Sequence, residues 1–489
     1  MDINEIKARR SEPWREELRK SIKPKERGEL ARVKMPSLDP AYRITTIYEE
    51  VNQGLTAEQA QMEARRCLDC ANPTCMQGCP VSINIPSFVK NIERGEFLEA
   101  AKVLKESSTL PAVCGRVCPQ ERQCEAQCIY IQKMSKEPVA IGFLERFAAD
   151  YERESGQAST PEVAPANGIK IAVVGSGPAG LAFAGDMIKF GYDVTVFEAL
   201  HQIGGVLKYG IPEFRLPTSV VDFEIETLTR MGVKFVKDVI VGKTISQQDL
   251  IDEGFKGVFV ASGAGLPNFM NIPGENLNGV MSSNEFLTRV NLMDASHPDS
   301  DTPVAKGKKV VVIGGGNTAM DAVRTAKRIG AEEATIVYRR SIEEMPARVE
   351  EVHHAQEEGI VFKTLHNPIK YEGNENGKVC RVLLQKMELG EPDASGRRKP
   401  VAIEGATEWQ EVDEVIVSVG VSPNPLIPRA FSGIEVSKWG TIVVDQDTMQ
   451  SAIPEVYAGG DIVRGGATVI LAMGDGRKAA ANMHAKFMK

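Results

Sequence analysis

Short apolar runs alternate with helical patterns and glycine-containing turns over the C-terminal two thirds of the chain. Residues 171–174 form one such run, which is typical of a buried strand, and a helical pattern follows to residue 189. Residues 194–197 form the next apolar run. The order of strand, glycine turn, helix and strand returns from residue 309, and a further buried strand is predicted over 412–419. This alternation predicts the α/β fold class.

The first 150 residues have a different pattern and contain eight of the nine cysteines. Thr56 and Gln59 fit a capping box, which predicts a helix leading towards the first cysteine. Residues 85–106 also have a helical pattern. Residues 151–168 are rich in Ser, Pro, Ala and Glu, a composition typical of a linker.

Composition then limits the classes of function. A chain of 489 residues is long enough for about two to four domains. Its net charge of −8 makes nucleic acid an unexpected partner, and no run of apolar residues is long enough to span a membrane. The N-terminal segment mixes charges and does not resemble a signal peptide, so we expect a cytoplasmic protein with reduced cysteines.

The turn after the strand at 171–174 reads Gly175-x-Gly177-x-x-Gly180, and Glu198 follows the next strand. This is the dinucleotide-binding fingerprint in its required context, in which the glycines allow a tight turn, a close pyrophosphate and close helix packing. Glu198 is the expected acceptor for ribose hydroxyls. The alternative is a glycine-rich turn with no ligand.

A second fingerprint, Gly314-x-Gly316-x-x-Ala319, has alanine in place of the last glycine. Where an NAD site would carry an acid after the second strand, this chain has Arg339 and Arg340. Two guanidinium groups there predict recognition of a 2′-phosphate, and therefore NADPH rather than NADH. The alternative is a solvated basic strand end.

A third signal lies near the C-terminus, where Gly460 and Asp461 follow a predicted strand. Asp461 is a candidate ligand for the ribityl hydroxyls of a flavin. Thr468 comes directly before a helix predicted from residue 469, whose N-terminus would face the flavin. Alone, this stretch fits an ordinary loop. Together with the first fingerprint, it predicts an FAD domain that is split in the sequence.

The cysteines form two spaced groups, Cys67-x2-Cys70-x4-Cys75-x3-Cys79 and Cys114-x3-Cys118-x5-Cys124-x3-Cys128. Structural zinc would use two C-x2-C pairs, but only one such pair is present. Disulfides are disfavoured by a reducing compartment. Short spacings with proline after a cysteine favour iron–sulfur clusters, and eight cysteines predict two of the 4Fe–4S type.

These motifs together resemble the family of the small (beta) subunit of NADPH-dependent glutamate synthase. That family includes the large subunit of bifurcating ferredoxin:NADP⁺ oxidoreductase, of the sulfide dehydrogenase type, and the N-terminal half of dihydropyrimidine dehydrogenase. The motifs run from about residue 45 to residue 485, and they are CLDCANPTCMQGCPV, LPAVCGRVCPQERQCEAQC, VGSGPAGL, GGVLKYGIPEFRLP, GGGNTAMD, YRR and YAGGD.

The resemblance implies the domain organisation. Residues 1–150 would form an α-helical domain with two 4Fe–4S clusters, followed by the linker at 151–168. An FAD domain of residues 169–290 and 420–489 would be split around an NADPH domain of residues 291–419. The shared motifs add Gly205, Arg215, Asn317 and Thr318 to the candidate cofactor residues.

The resemblance also implies interleaved cluster ligands. One cluster would be held by Cys67, Cys70, Cys75 and Cys128. The other would be held by Cys79, Cys118, Cys124 and a non-cysteine ligand at Glu145, which leaves Cys114 spare. Counting cysteines would instead make Cys114 the eighth ligand. A further alternative is that Glu145 is an exposed helix residue paired with Arg146 or Arg122.

The function implied is electron transfer between NADPH and a partner subunit through FAD and the clusters, with no catalytic side chain. The partner would be the glutamate synthase large subunit or, in a bifurcating complex, a ferredoxin-reductase-like flavoprotein subunit. A non-catalytic redox sensor that binds nucleotides is a third hypothesis. Thioredoxin-reductase-like chemistry is disfavoured, because no C-x-x-C motif follows Cys70.

Overall fold

The N-terminal part of the chain is helical. The structure, a computed structural model, describes residues 3–297, 299–394 and 396–488. The helices of this part are Ile3–Arg10, Pro13–Ser21, Pro24–Arg27, Pro40–Arg43, Ala57–Arg65, Thr74–Gln77, Ile85–Glu93, Phe97–Ser107, Pro111–Val117, the 3₁₀ turn Gln120–Arg122, Ile129–Met134 and Ile141–Glu154.

Two of these helices refine the predictions from sequence. The capping box is confirmed, since Thr56 accepts a hydrogen bond from the backbone N–H of Gln59 and the Gln59 side chain accepts one from Thr56 N–H. The segment 85–106, predicted to be helical, forms the two helices Ile85–Glu93 and Phe97–Ser107, because Gly95 between them has a φ of +87°, which a continuing helix cannot adopt.

The first parallel sheet contains the first fingerprint. Its five strands lie in the order Val456–Ala458, Phe255–Val260, Lys170–Val174, Asp193–Phe197 and Lys234–Val236, all parallel. Lys170–Val174 and Phe255–Val260 are buried on both faces over most of their length, which explains their apolar runs, whereas the edge strand Lys234–Val236 is largely exposed. The helices of this unit are Pro178–Lys189, Val206–Tyr209, Thr218–Met231, Gln247–Asp252, Leu426–Ala430, Asp461–Arg464 and Val469–Phe487.

The second parallel sheet contains the second fingerprint. Its strands lie in the order Val280–Ser282, Glu414–Val417, Lys309–Ile313, Glu333–Tyr338 and Val361–Thr364. The associated helices are Ser283–Leu292, Asn317–Arg328, the 3₁₀ turn Ile342–Glu344 and Val349–Glu357. An antiparallel sheet of His366–Gly373, Val379–Pro392 and Arg398–Glu411 follows, and a two-stranded pair joins Leu266–Pro267 to Val421–Ser422.

Two boundaries differ from the sequence-based division. Val280–Ser282 pairs with Glu414–Val417 in the second sheet, so this sheet begins before residue 291. The helix Ile141–Glu154 continues four residues into the segment predicted as a linker. Within the described residues, no helix is both long and apolar enough to cross a membrane.

A buried ion network connects the second sheet to the rest of the molecule. The carboxylate of Glu358 accepts hydrogen bonds from Arg43 (2.7 Å), Arg324 (2.8 and 2.9 Å) and Arg328 (2.8 and 2.9 Å). Arg43 belongs to the N-terminal part, and its side chain is 1% exposed. Three arginines around one acid therefore fix the N-terminal part against the helix that follows the second fingerprint.

The charges in this network are strongly coupled. Burial opposes ionisation of Glu358, but the surrounding arginines outweigh burial and hold the pKa of its carboxyl well below its usual range. A depressed folded-state pKa means that the network stabilises the fold above pH ~4 and that this contribution is lost as the pH falls further.

We expect Glu358→Ala to be strongly destabilising. The substitution leaves Arg43, Arg324 and Arg328 buried without their shared acid, and breaking buried ion pairs costs roughly 3–5 kcal/mol. The measurement is the urea midpoint at pH 7. The control is Glu332→Ala, because Glu332 pairs with Lys308 at side-chain exposures of 69% and 73%, and such pairs contribute about 0–1 kcal/mol. Equal losses in the two variants would contradict the expectation.

Candidate functional site

The first glycine turn has the geometry that a bound pyrophosphate requires. Gly175 has a φ of +100°, and a Cβ on Gly180 would lie 2.1 Å from the carbonyl oxygen of Gly175. Gly180 therefore allows the helix Pro178–Lys189 to pack against the turn. A Cβ on Gly177 would meet nothing within 4 Å, so the helix N-terminus opens onto free space.

Glu198 lies against this turn and is 6% exposed. Its carboxylate accepts hydrogen bonds from Ser176 N–H (2.9 Å), Ser176 Oγ (2.5 Å) and Leu200 N–H (2.9 Å). The Ser176 hydroxyl also accepts a bond from Gly204 N–H at 2.9 Å. Ser176 was missed from sequence because it occupies a variable position of the fingerprint. It fixes the acid in the place where a ribose would be bound.

The C-terminal signal lies beside the first fingerprint. A Cβ on Gly476 would meet the carbonyl oxygen of Ala179 at 2.3 Å, so the helix Val469–Phe487 packs directly on Pro178–Lys189. Gly460 has a φ of +77°, and Asp461 accepts a hydrogen bond from Ala467 N–H at 2.9 Å. Residues separated by about 280 positions therefore meet at one site.

Of the other two candidate cofactor residues in the first unit, Gly205 lies at the first glycine turn and Arg215 at the contact with the second unit. Gly205 has a φ of +55°, and a Cβ there would lie 2.9 Å from the Cα of Gly177, so this glycine lies against the first turn. Arg215 is 8% exposed and pairs with Asp321 (2.8 Å) and Glu351 (3.3 Å) of the second unit. Its guanidinium therefore bonds carboxylates of the protein itself.

Thr468 directly precedes the helix Val469–Phe487, as predicted, and it caps the N-terminus of that helix. Its side chain accepts a hydrogen bond from Leu471 N–H at 3.4 Å, at the first turn of the helix Val469–Phe487. The N-terminal end of this helix is close to Asp461, through the hydrogen bond from Ala467 N–H. Free N–H groups at a helix start attract the polar, electron-rich edge of a ligand.

The second glycine turn opens into a cavity of about 400 Å³. Gly314 has a φ of +142°, and a Cβ on Gly316 would meet nothing within 4 Å. Thr318 and Pro346 line the same cavity. Asn317 begins the helix Asn317–Arg328, and its Oδ1 accepts a hydrogen bond from Arg348 N–H at 2.8 Å. The volume and the glycine backbone fit part of a dinucleotide.

The two predicted arginines both line this cavity, but their environments differ. Arg340 is 6% exposed, pairs with Asp393 at 2.6 Å and donates to the Arg398 carbonyl oxygen at 2.7 Å. Arg339 is exposed and has no hydrogen-bond or ion-pair partner among the described residues. Arg339 is therefore the arginine more available to a phosphate. Arg397, His366 and Asn367 also line the cavity and were not predicted, since they come from the antiparallel sheet and the loop before its last strand.

Cys67, Cys70, Cys75 and Cys128 lie around one small cavity of the helical part. Burial and the neighbouring Cys67, Cys128 and Cys70 raise the pKa of the Cys75 thiol well above its usual value. The last member of the second sequence group thus joins the first three members of the first group. This is the interleaved arrangement, and simple counting along the chain does not produce it.

A second spatial group of thiols, formed by Cys79, Cys118 and Cys124, lies near Glu145. Burial, Glu125, Cys79, Glu145 and Cys118 together raise the pKa of the Cys124 thiol well above its usual value. Cys114 belongs to the same neighbourhood. Its sulfur is fully buried and lies 3.5 Å from the sulfur of Met473, on the helix Val469–Phe487.

Glu145 is buried, and the interpretation of this residue as an exposed, arginine-paired glutamate is wrong. Its Oε1 has no hydrogen-bond partner among the described residues. Arg146 pairs with Glu50 and Asp150, and Arg122 donates to backbone carbonyls. Burial followed by the charge of Glu224 raises the pKa of the Glu145 carboxyl to about 8. A buried carboxyl with one unpartnered oxygen beside the thiols of Cys79, Cys114, Cys118 and Cys124 fits a ligand set that contains an oxygen donor.

Both groups consist of thiols that lie close together and are largely withdrawn from water. Buried thiols held near one another strongly resist ionisation, and coordination to iron removes that cost because a coordinating thiol is deprotonated. The residues present therefore fit iron–sulfur clusters.

Two family descriptions match this chain. The first, dihydropyrimidine dehydrogenase domain II with a 4Fe-4S cluster, matches residues 43–157. The second, pyridine nucleotide-disulphide oxidoreductase, matches residues 169–476. FprA from Mycobacterium tuberculosis has a similar fold, with a TM-score of 0.55 and 22% identity over 66% of this chain and 85% of that chain.

Three relatives compared by sequence have a higher identity to this chain than FprA has. The glutamate synthase (NADPH) small chain of Escherichia coli (strain K12) is 38% identical over 89% of this chain and 92% of its own. That of Azospirillum brasilense is 37% identical over 92% and 94%. The NADPH-Fe(3+) oxidoreductase subunit beta of Geobacter sulfurreducens (strain DL-1 / KN400) is 36% identical over 87% of this chain and 65% of its own. This chain therefore belongs to the pyridine nucleotide-disulphide oxidoreductases and, among them, to the family of the glutamate synthase (NADPH) small chain.

Proposed function

We propose that this chain is an iron–sulfur flavoprotein that moves electrons between NADPH and a partner subunit. The observation that carries the proposal is the presence, in one chain, of two glycine turns on separate parallel sheets beside two groups of buried thiols. The relatives named above are NADPH-dependent enzymes by their names, and their similarity extends over most of this chain.

The cofactors proposed are FAD at the first sheet, NADPH at the second sheet and two 4Fe–4S clusters in the helical part. When bound, the flavin supplies the exchange between the electron pair of a nicotinamide and the single electrons of the clusters. The protein binds and orients these groups. No side chain needs to act as a general acid or base.

At the first sheet, Gly177 and the helix N-terminus beyond it would bind the pyrophosphate of FAD. Glu198, held by Ser176, would accept hydrogen bonds from a ribose, while Asp461 and Thr468 would bind the flavin end. We keep Gly175, Gly180, Gly205 and Gly460 as residues that shape this site. The role of Arg215 at a cofactor stays a prediction, since its charge is paired with Asp321 and Glu351.

At the second sheet, Gly314 and Gly316 would allow the NADPH pyrophosphate to approach, with Asn317 and Thr318 at the helix start. Arg339 would bind the 2′-phosphate by charge-assisted hydrogen bonds, supported by Arg340. We propose that the FAD unit ends before residue 280 and that the NADPH unit covers about 280–417. These limits follow the strand pairing.

The partner proposed is the large subunit of a glutamate synthase, because glutamate synthase small chains are similar over nearly their whole length. A ferredoxin-reductase-like flavoprotein partner in a bifurcating complex is the alternative. The related subunits of an NADPH-Fe(3+) oxidoreductase and of an NADP(+)-dependent formate dehydrogenase indicate that this type of chain serves different complexes.

The proposed function predicts that the purified chain, loaded anaerobically with iron, sulfide and FAD, oxidises NADPH with an artificial electron acceptor. Its flavin content is expected to approach one per chain, and its iron content about eight per chain if both clusters form. Bound flavin and iron are measured together with the rate. A chain that holds both cofactors yet fails to oxidise NADPH would refute the proposal.

Arg339→Ala is expected to raise the KM for NADPH tenfold or more with little change for NADH. A charge-assisted contact to a phosphate contributes roughly 1.5–3 kcal/mol, and NADH lacks that phosphate. Arg340→Ala is expected to have a smaller effect on the nucleotide preference, because Arg340 is already paired with Asp393. The control is Arg381→Ala, whose side chain pairs with Glu372 on the antiparallel sheet. An unchanged preference in the Arg339 and Arg340 double variant would remove both residues from the site.

The eighth cluster ligand is tested by two single variants. Cys114→Ser is expected to keep both clusters, because Cys114 contacts Met473 and Glu145 carries the unpartnered oxygen. Glu145→Ala is expected to change the EPR signal and potential of one cluster, since an oxygen ligand sets a potential different from an all-thiolate set. Cluster loss in Cys114→Ser with a silent Glu145→Ala would show that counting cysteines gives the right ligands.

A further inference from the structure

Residues 345–348, all buried except the exposed Pro346, lie between the second glycine turn and residues 114–124, which we call the cysteine loop. Met345 and Ala347 are 3% and 1% exposed. On the nucleotide side, Ala347 N–H donates to the Gly315 carbonyl oxygen at 3.2 Å, and Arg348 N–H donates to Asn317 Oδ1 at 2.8 Å. We call residues 345–348 the bridging segment.

The opposite side of the bridging segment is bound by the cysteine loop. The Arg122 guanidinium donates to the carbonyl oxygens of Met345 (2.9 Å), Pro346 (3.0 Å) and Ala347 (3.2 Å). Arg122 lies between Cys118 and Cys124 in the sequence. Pro346 also lines the cavity of the second glycine turn and Ala347 bonds that turn, so both residues touch both neighbourhoods.

The side chain of Arg348 extends from the bridging segment into the cysteine loop and is 4% exposed. It donates to the Arg116 carbonyl oxygen and to Gln120 Oε1, the latter at 2.8 Å. Gln120 in turn donates from Nε2 to the carbonyl oxygens of Cys114 (3.4 Å) and Gly115 (3.3 Å). Arg348 thus holds the backbone that carries Cys118.

The positive charge of Arg348 also lies close to Cys118. The guanidinium is near enough to Cys118 for the two groups to interact electrostatically. Two acids face the guanidinium from more exposed positions, Glu350 at 2.9 Å and Glu121 at 3.8 Å. Without Arg348, these two carboxylates would lie uncompensated beside the cysteine loop.

We propose that Arg348 is a positioning residue that stabilises the reduced form of the cluster at Cys118, and that the bridging segment couples this effect to occupancy of the NADPH cavity. The proposal rests on the proposed function. A reduced cluster carries one more negative charge, and a nearby buried cation lowers its free energy. Because Arg348 is anchored at Asn317, a nucleotide that shifts this helix start also shifts the guanidinium.

The experiment is an anaerobic redox titration followed by EPR, with and without saturating NADP⁺. In the unmodified protein, NADP⁺ is expected to shift the potential of one cluster and leave the other unchanged. Arg348→Gln removes the charge, so the potential of that cluster should fall and the NADP⁺ effect should disappear. Arg348→Lys keeps a cation and should give an intermediate potential.

Arg289→Gln is the control. Arg289 lies in the same unit, pairs with Glu285 at 2.9 Å and has no hydrogen bond to the bridging segment or cysteine loop among the described residues. Both cluster potentials should stay at the values of the unmodified protein in this control.

The coupling can also be measured from the side of the nucleotide. The ratio of the Kd values of NADP⁺ for oxidised and for reduced protein must correspond to the same free energy as the shift in cluster potential.

Unchanged cluster potentials in Arg348→Gln, or an unmodified protein insensitive to NADP⁺, would overturn the proposal. If Arg348→Gln does not retain its clusters, Arg348→Lys decides the question. Lysine keeps the charge but cannot bond both the Arg116 carbonyl oxygen and Gln120, so the cluster potential should change and the effect of saturating NADP⁺ should shrink; unchanged values of both would refute the coupling. A protein that binds no cluster at all would instead refute the proposed function.

Discussion

The buried carboxylate of Glu358 binds arginines that arrive from two separate parts of the chain. A charge withdrawn from water is stable only if its partners are fixed in place, so these groups allow one relative arrangement of the N-terminal part and the second sheet. Arg215 adds a similar constraint from the first unit through Asp321 and Glu351. The proposed sites depend on this arrangement, because the cysteine loop and the second glycine turn meet across the same boundary.

The parts of the fold that were predictable are those in which one residue type satisfies a local backbone requirement. Gly175 and Gly314 stand at positive φ, and a side chain at Gly180 would overlap the preceding turn. Such requirements are visible in sequence. The pairing of Val280–Ser282 with Glu414–Val417 was not predicted, since a three-residue strand gives little periodic signal and its partner lies more than 130 positions away. The Arg340–Asp393 pair was also not predicted, because its two residues are far apart in the sequence.

For the cysteines, too, the sequence predicted one part of the site and not another. Spacing alone indicated iron–sulfur chemistry, yet it did not determine which cysteines meet, and the interleaved grouping came from the family resemblance. The structure places Cys128 with Cys67, Cys70 and Cys75. It also leaves an oxygen of Glu145 buried without a partner among the described residues. Amphipathic patterning could not reveal this feature, because a glutamate in a helix is ordinarily solvated.

The edge strand Val456–Ala458 joins Phe255–Val260 in the first sheet although it comes roughly 200 residues later in the sequence. Synthesis must therefore pass residue 458 before this sheet gains its edge strand, and residue 487 before its covering helix is available. Until then, the apolar strand Phe255–Val260 has an open edge, which is a hazard for aggregation. Pairings between distant segments also form slowly. The surroundings of Cys114 are likewise incomplete until the helix Val469–Phe487 has packed, because Met473 on that helix contacts its sulfur.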